Sequence, residues 1–194
     1  MDPTRQALTQ LTADPIPFLT DVNPLLRRMA LTSLSDEQAT AATSTLGTLS
    51  ADEDPTVRTA AVEKLGVVGE AACPFIDTAR DDPEPTVREA AATAYGEVGA
   101  PAALPWLEQA ASLDPDRGVR EAAVAAMGAI GDPAAVDILL GLIADGPPQV
   151  RRRAVAAITV FDDPRVEPAL QRAALDRNPG VREAAEMVVG RQLR

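Results

Sequence analysis

Histidine is absent from this chain, and cysteine occurs once, as Cys73. The first absence removes imidazole acid–base chemistry, Ser-His-Asp and Cys-His arrangements, and the common His-containing metal sites in one step. The second excludes an intramolecular disulfide and any cysteine-rich metal site, leaving Cys73 as a small helix residue. Lysine is nearly missing as well: of 18 basic residues only Lys64 is Lys, and they face 29 acidic residues, for a net charge of −11. A field of that sign repels phosphate backbones, so nucleic acid is not an expected partner. Aromatic residues are only 3% of the chain, which leaves burial to Ala, Val, Leu and Ile packed at close helix spacing. The N-terminus carries no apolar core of the signal-peptide kind. No apolar run is long enough to span a membrane, and Asp137 interrupts the greasiest stretch, Ala134 to Ala144. The expectation is a cytoplasmic, monomeric protein with a single domain over residues 1–194.

What the chain does have is a repeat. The stretch Asp82 to Gly99 recurs in variant form, and its apolar-Arg step marks equivalent positions at Leu26, Val57, Val87, Val119, Val150 and Val181, spaced 31, 30, 32, 31 and 31 residues apart. Six copies at that period place the chain among solenoids. Five residues before each of these positions stands Asp: Asp21, Asp52, Asp82, Asp114, Asp145 and Asp176. One residue after stands Arg: Arg27, Arg58, Arg88, Arg120, Arg151 and Arg182. Two before is Pro in five copies, with Arg117 the exception, and Asn or Asp often precedes it. Proline is tolerated in a first helical turn and Asn or Asp suits an N-cap, so each copy starts a helix here.

Along that helix, positions zero, four and eight share one face. Position four is always Ala (Ala30, Ala61, Ala91, Ala123, Ala154, Ala185), which implies a neighbouring helix too close for anything larger. Position eight is a larger apolar residue: Leu34, Leu65, Tyr95, Met127, Ile158 or Val189. Gly66, Gly96, Gly128 and Gly190, with Gly69, Gly99 and Gly131 three residues later, are read as ending the helix and permitting a turn. Shorter helices opened by Pro are expected between them, after Gly99, Gly131 and Asp162. Each copy is then an antiparallel helical hairpin that buries its faces by stacking.

The pattern D-x-D-P-x-V-R-x-A-A-x-x-A-L-G-x-x-G, followed at Asp52 to Gly69 and Asp82 to Gly99, resembles HEAT repeats of the short bacterial PBS-lyase HEAT-like type. The likeness covers roughly residues 21–194. It implies an all-α, right-handed α-solenoid of about six hairpins; residues 1–20 depart from the pattern and are expected to form an irregular N-terminal cap whose first helix draws on Thr4 to Thr12 and Phe18-Leu19. It also implies that the Asp and Arg series form a ladder stapling neighbouring repeats, and that the second helices line a concave side. Six copies of one pair argue for structure, since catalysis needs one unique constellation.

Function is therefore expected where the copies differ. Positions two and six read Arg28, Thr59, Glu89, Glu121, Arg152, Glu183 and Thr32, Glu63, Thr93, Ala125, Ala156, Met187. The candidate partner-binding residues are Arg28, Glu63, Glu89, Thr93, Glu121, Arg152, Arg153 and Trp106. Arg153 breaks a position otherwise held by Ala or Met, as a snorkelling side chain at a repeat edge or as a basic spot for an acidic partner segment. Trp106 matches Phe75 and is either core or an interface anchor. The leading expectation is a non-catalytic scaffold that takes a partner protein or peptide on the concave face and needs no cofactor or metal. An accessory subunit or chaperone in bilin-type cofactor attachment is the alternative, and a HEAT-like DNA-repair glycosylase is opposed by the charge and the scarcity of aromatics.

Overall fold

The computed structural model describes residues 9–192, so the part of the expected first helix before residue 9 lies outside the described residues. Residues 9–13 are helical, and a 3-10 turn follows at Ile16–Thr20. Among the described residues there is no strand. The chain divides into two compact units, Met1–Val98 and Gly99–Arg194.

In the first unit, α1 (Pro24–Ser33), α4 (Pro55–Gly66) and α6 (Pro85–Val98) are the second helices of their repeats, and they pack side by side in that order. The first-helix layer is less regular. It consists of α2 (Asp36–Ala41) and α3 (Thr43–Leu49), broken at Ala42, and then of α5 (Cys73–Ile76) between two 3-10 turns. In the second unit, α8 (Arg117–Ile130), α10 (Pro148–Ala157) and α12 (Pro179–Gln192) are the second helices, each paired with a first helix: α7 (Leu104–Leu113), α9 (Ala135–Asp145) and α11 (Val166–Ala173). Both units are all-α stacks of helical hairpins.

The start signals act as the residue types dictate. Asn23, Asp54 and Asp116 accept the N–H of the second helical residue, satisfying a donor that has no partner within the helix. The seam between second helices is built from positions zero, four and eight. Val57, Val87, Val119, Val150 and Val181 are fully buried, as are all six position-four alanines. An Ala there lets the helix axes approach closely, and the larger residue one turn on fills the space left.

Two details differ from expectation. Helices α6 and α8 run two residues past Gly96 and Gly128 and end before Gly99 and Gly131, and Gly131 takes the left-handed conformation (φ +67°) that a side chain would strain. Gly128 serves a close approach instead, because a Cβ there would lie 3.1 Å from that of Ala157. The prolines ahead of the first helices, Pro101, Pro133 and Pro164, sit in a 3-10 turn or loop just before the α-helix rather than opening it.

Candidate partner-binding face

Each repeat's Arg works in two directions. Inward, Nη1 of Arg58 donates to the carbonyls of Asp52 (2.9 Å) and Glu53 (3.3 Å), tying down the turn that starts its own helix. Arg27, Arg88, Arg120 and Arg182 hold their own turns in the same way, and Arg151 holds the carbonyl of Gly146. Outward, the other two nitrogens of Arg58 grip both carboxylate oxygens of Asp82 at 2.7 and 2.9 Å, and those of Arg151 grip Asp176 at 2.8 Å each. Arg27 reaches Asp52 through Nη2 at 2.7 Å. These aspartates also accept backbone N–H groups two residues on, at Asp54, Glu84 and Asn178. The carboxylate is thus shared between its own turn and the neighbouring repeat. Charge-assisted bidentate pairing holds Asp176 below the ordinary carboxylate range, with Arg151 the main cause. For Asp82, burial acts the other way, but Arg58 and the Glu84 N–H outweigh it and its value is also lowered.

Asp145 does not belong to this row. It is exposed at the end of α9, and among the described residues Arg120 has no carboxylate partner. The cause is Pro147, which stands where the other repeats offer an N–H and has none to give. Asp21 accepts the N–H of Asn23 at 2.8 Å. Asp114 accepts that of Asp116 at 2.8 Å.

The variable positions point outward. In the first unit Arg28, Thr32, Glu63, Glu89 and Thr93 are exposed on α1, α4 and α6. Glu97 joins them, although the repeat pattern did not single it out. Its carboxylate lies over Gly66, where an added Cβ would come within 2.1 Å of Oε2. Burial and the charges of Glu97 and Glu89 push the pKa of Glu63 above the ordinary carboxylate range, and burial does the same to Glu97. Lys64, whose Nζ is bonded to the carbonyl of Leu34 at 2.9 Å, acts against both shifts without cancelling them.

In the second unit the second helices carry Glu121, Arg152, Arg153, Glu183 and the half-exposed Met187. Glu121 sits between two cations, 2.6 Å from Nε of Arg117 and 4.0 Å from Nη2 of Arg152. Arg117 is the residue that replaces the helix-starting proline. Its role here could have been read from its i,i+4 spacing to Glu121. Arg153 is exposed and edges a shallow depression of about 280 Å³ between α8 and α10, floored by Ala125, Gly128, Ala156 and Ala157 and closed by Val160. Trp106 lies elsewhere, half-buried on the first helix α7 as Phe75 is on α5. Phe75 covers Gly47, and any Cβ there would stand 2.4 Å from its ring.

The family model for HEAT repeats matches residues 74–157 and 141–192, more than half of the chain. The chain belongs to the HEAT-repeat family. Solved structures similar to this HEAT protein include YibA of Escherichia coli, 19% identical over 97% of this chain and 75% of that one, with a TM-score of 0.66. The complex of CpcE and CpcF of phycocyanin lyase from Nostoc is 23% identical over 76% of this chain and 98% of that one (TM-score 0.62). A designed armadillo repeat protein in complex with the peptide (KR)4 is 20% identical over 91% and 97% (TM-score 0.64). At these identities the likeness is one of fold. No curated protein matches the sequence. Among the described residues of the HEAT protein, no group of three His, Cys, Asp or Glu could hold a metal ion, and no helix is long and apolar enough to cross a membrane.

Proposed function

We propose that this HEAT protein is a non-catalytic scaffold that binds a partner protein segment on its second-helix face, with Arg152 and Arg153 as the main electrostatic contact. One observation carries the reading: the position-zero valines and the position-four alanines are buried in the seam, while Arg28, Glu63, Glu89, Thr93, Arg152 and Arg153, at positions where the copies differ, are exposed on the second helices. Variation confined to an exposed face, on a frame that does not vary, is how a repeat protein acquires specificity. Arg28, Glu63, Glu89 and Thr93 in the first unit, and Glu121 in the second, would set which segment fits. Trp106, on the other helix layer, is an alternative anchor. In a chain of net charge −11, the run Arg151 to Arg153 is the densest basic stretch, and Arg151 is already engaged. Arg152 and Arg153 therefore favour an acidic segment, flanked by Glu121 and Glu183 that reject a shifted register.

The same scaffold could serve as an accessory subunit in cofactor attachment, a reading favoured by its similarity to the CpcE–CpcF complex. A partner complex with visible absorbance would distinguish that case. The direct test uses a partner isolated with the intact protein and then titrated in purified form. Arg152→Glu combined with Arg153→Ala should weaken binding more than tenfold, about 1.4 kcal/mol, while circular dichroism reports an unchanged helical fold. Unchanged affinity in the folded double variant would move the interface away from this spot.

A further inference from the structure

Arg120 has the posture of its counterparts without their carboxylate. Its Nη1 donates to the carbonyls of Asp114 at 2.6 Å and Pro115 at 2.9 Å, the same clamp that in Arg58 turns Nε and Nη2 toward the aspartate of the next repeat. In Arg120, Nε is shut off from solvent and has no acceptor; Nε of Arg27 is in the same state, but Arg27 still reaches Asp52 through Nη2, whereas Arg120 has no carboxylate on either nitrogen. A buried nitrogen of a charged group without a partner is an unfavourable arrangement. Because the atom is sealed, a carboxylate from outside the chain cannot reach it while the adjoining turn stands. Within the chain, the residue that holds the missing carboxylate's place in the repeat is Asp145.

Two neighbours keep Asp145 away. Asp114 caps α7 in an extended conformation (φ −60°, ψ 133°) and anchors itself on the N–H of Asp116. Pro147 offers Asp145 no such anchor, so α9 runs one residue further and Asp145 becomes its last residue. Gly146 then takes the extended cap (φ −65°, ψ 165°) and donates to the carbonyl of Leu142 at 3.1 Å. Only glycine fits this ending, because a Cβ would lie 2.6 Å from that carbonyl oxygen.

We propose that Asp145–Gly146–Pro147 is a two-position latch. In the position seen, Asp145 ends α9 at the rim of a cavity of about 270 Å³ that Glu108, Ser112 and Asp137 also line. In the other, Asp145 leaves the helix, adopts the conformation of Asp114, and closes its carboxylate on Nε and Nη2 of Arg120. The conversion needs one large backbone rotation, at ψ of Asp145, with Gly146 free to follow. Each position keeps one interaction that the other gives up, and both are populated if their free energies differ by only a few kcal/mol. The latch joins repeats whose second helices are α8 and α10. Closing it would therefore fix the spacing of Glu121 and Arg152 across that joint. This last consequence rests on the docking role proposed above; the latch itself does not.

The test is nuclear magnetic resonance on the intact protein, following the Arg120 Nε–Hε group and the amides of Asp145 and Gly146. Wild type should show relaxation dispersion at all three with one shared exchange rate, and Asp145→Ala should abolish it at Arg120. Pro147→Asn supplies the missing N–H and should raise the closed fraction at least tenfold, moving the Arg120 Nε–Hε frequencies to those of Arg58 and Arg151. Combining Asp145→Ala with Pro147→Asn should reverse that move. Absence of exchange in wild type, or a Pro147→Asn effect that survives without Asp145, would overturn the latch. Should Pro147→Asn close the latch and leave partner affinity unchanged, the latch stands and the docking assignment at this joint falls.

Discussion

Arg151→Gln should be the most damaging single change in the row. The Arg151 side chain is 4% exposed and that of Asp176 13%, so the pair is largely withdrawn from water. Three hydrogen bonds of 2.7 to 2.8 Å depend on the guanidinium, two to the carboxylate and one to the carbonyl of Gly146. Glutamine is too short to replace them, which leaves Asp176 with only its N–H from Asn178 and a charge it cannot solvate. Removing one partner of a buried pair costs about 3–5 kcal/mol, and the residual exposure of Asp176 places this case near 3. Arg120→Gln is the internal control. It loses two bonds to carbonyls at about 1 kcal/mol each, but it also removes a buried nitrogen without an acceptor, so the net cost should be below about 1 kcal/mol. Arg165→Gln, which breaks the pairs of a 55% exposed guanidinium with Asp137 and Asp163, should also cost less than Arg151→Gln. For a chain of this size 3 kcal/mol lowers the thermal midpoint by roughly 6–12 °C. Thermal and urea unfolding followed by circular dichroism measure all three variants together. Arg151→Gln and Arg120→Gln within about 0.5 kcal/mol of each other would refute the claim that the outward grip is what stabilises the row.

The core gives a second prediction: Ala91→Leu places four-carbon bulk at a fully buried helix contact and should cost about 1–3 kcal/mol, so an unchanged melting midpoint would reveal slack in that seam. The third concerns acid. Asp82 and Asp176 have values below the ordinary one, and Asp163 is brought to about 2 by the Arg165 side chain and backbone N–H. At these three carboxyls the native state thus binds protons more weakly than the unfolded chain. The stabilisation is complete above about pH 4 and is lost as pH falls through the native values. Acid titration of stability should show that loss in wild type and a shallower one in Arg151→Gln, where Asp176 has lost its main cause of depression.

The fold was legible because its signals repeat. One Ala at position four could mean anything, but six mean a seam, and all six are buried. What the repeat could not convey is what depends on a single departure from it. The Asp-Pro pattern treats Asp145 as equivalent to its five counterparts, and only the next residue but one, Pro147, decides otherwise by lacking a donor. Glycines 96 and 128 look like stops because they resemble Gly131, yet the left-handed conformation that ends a helix falls only on Gly131 and its equivalents. On the variable face, the positions of Arg152 and Arg153 followed from helical spacing. The pairing of Glu121 with Arg117 did not, because Arg117 stands where the other copies have proline and so lies outside the repeat pattern. Glu97 lies outside it too: its carboxylate rests on Gly66, a contact made across a helix seam rather than along a helix.

The two-way grip of the arginine has a bearing on how such a chain can change length. Within one repeat Nη1 secures that repeat's own turn, and the other nitrogens ask only for an aspartate at a fixed place in whatever follows. Where the pairing is made, as at Arg27, Arg58 and Arg151, a repeat therefore presents the same socket on one side and the same plug on the other. Duplicating or deleting one whole period, for instance from Asp52 to Asp81, leaves Arg27 facing an equivalent Asp and requires no new joint. Differences of a residue or two between periods fall in the irregular first-helix layer, where α2, α3 and α5 show that several chain lengths are accommodated. Growth by copying is thus built into the bonding of each unit, and a copied repeat is at once stable and free to vary on its exposed face.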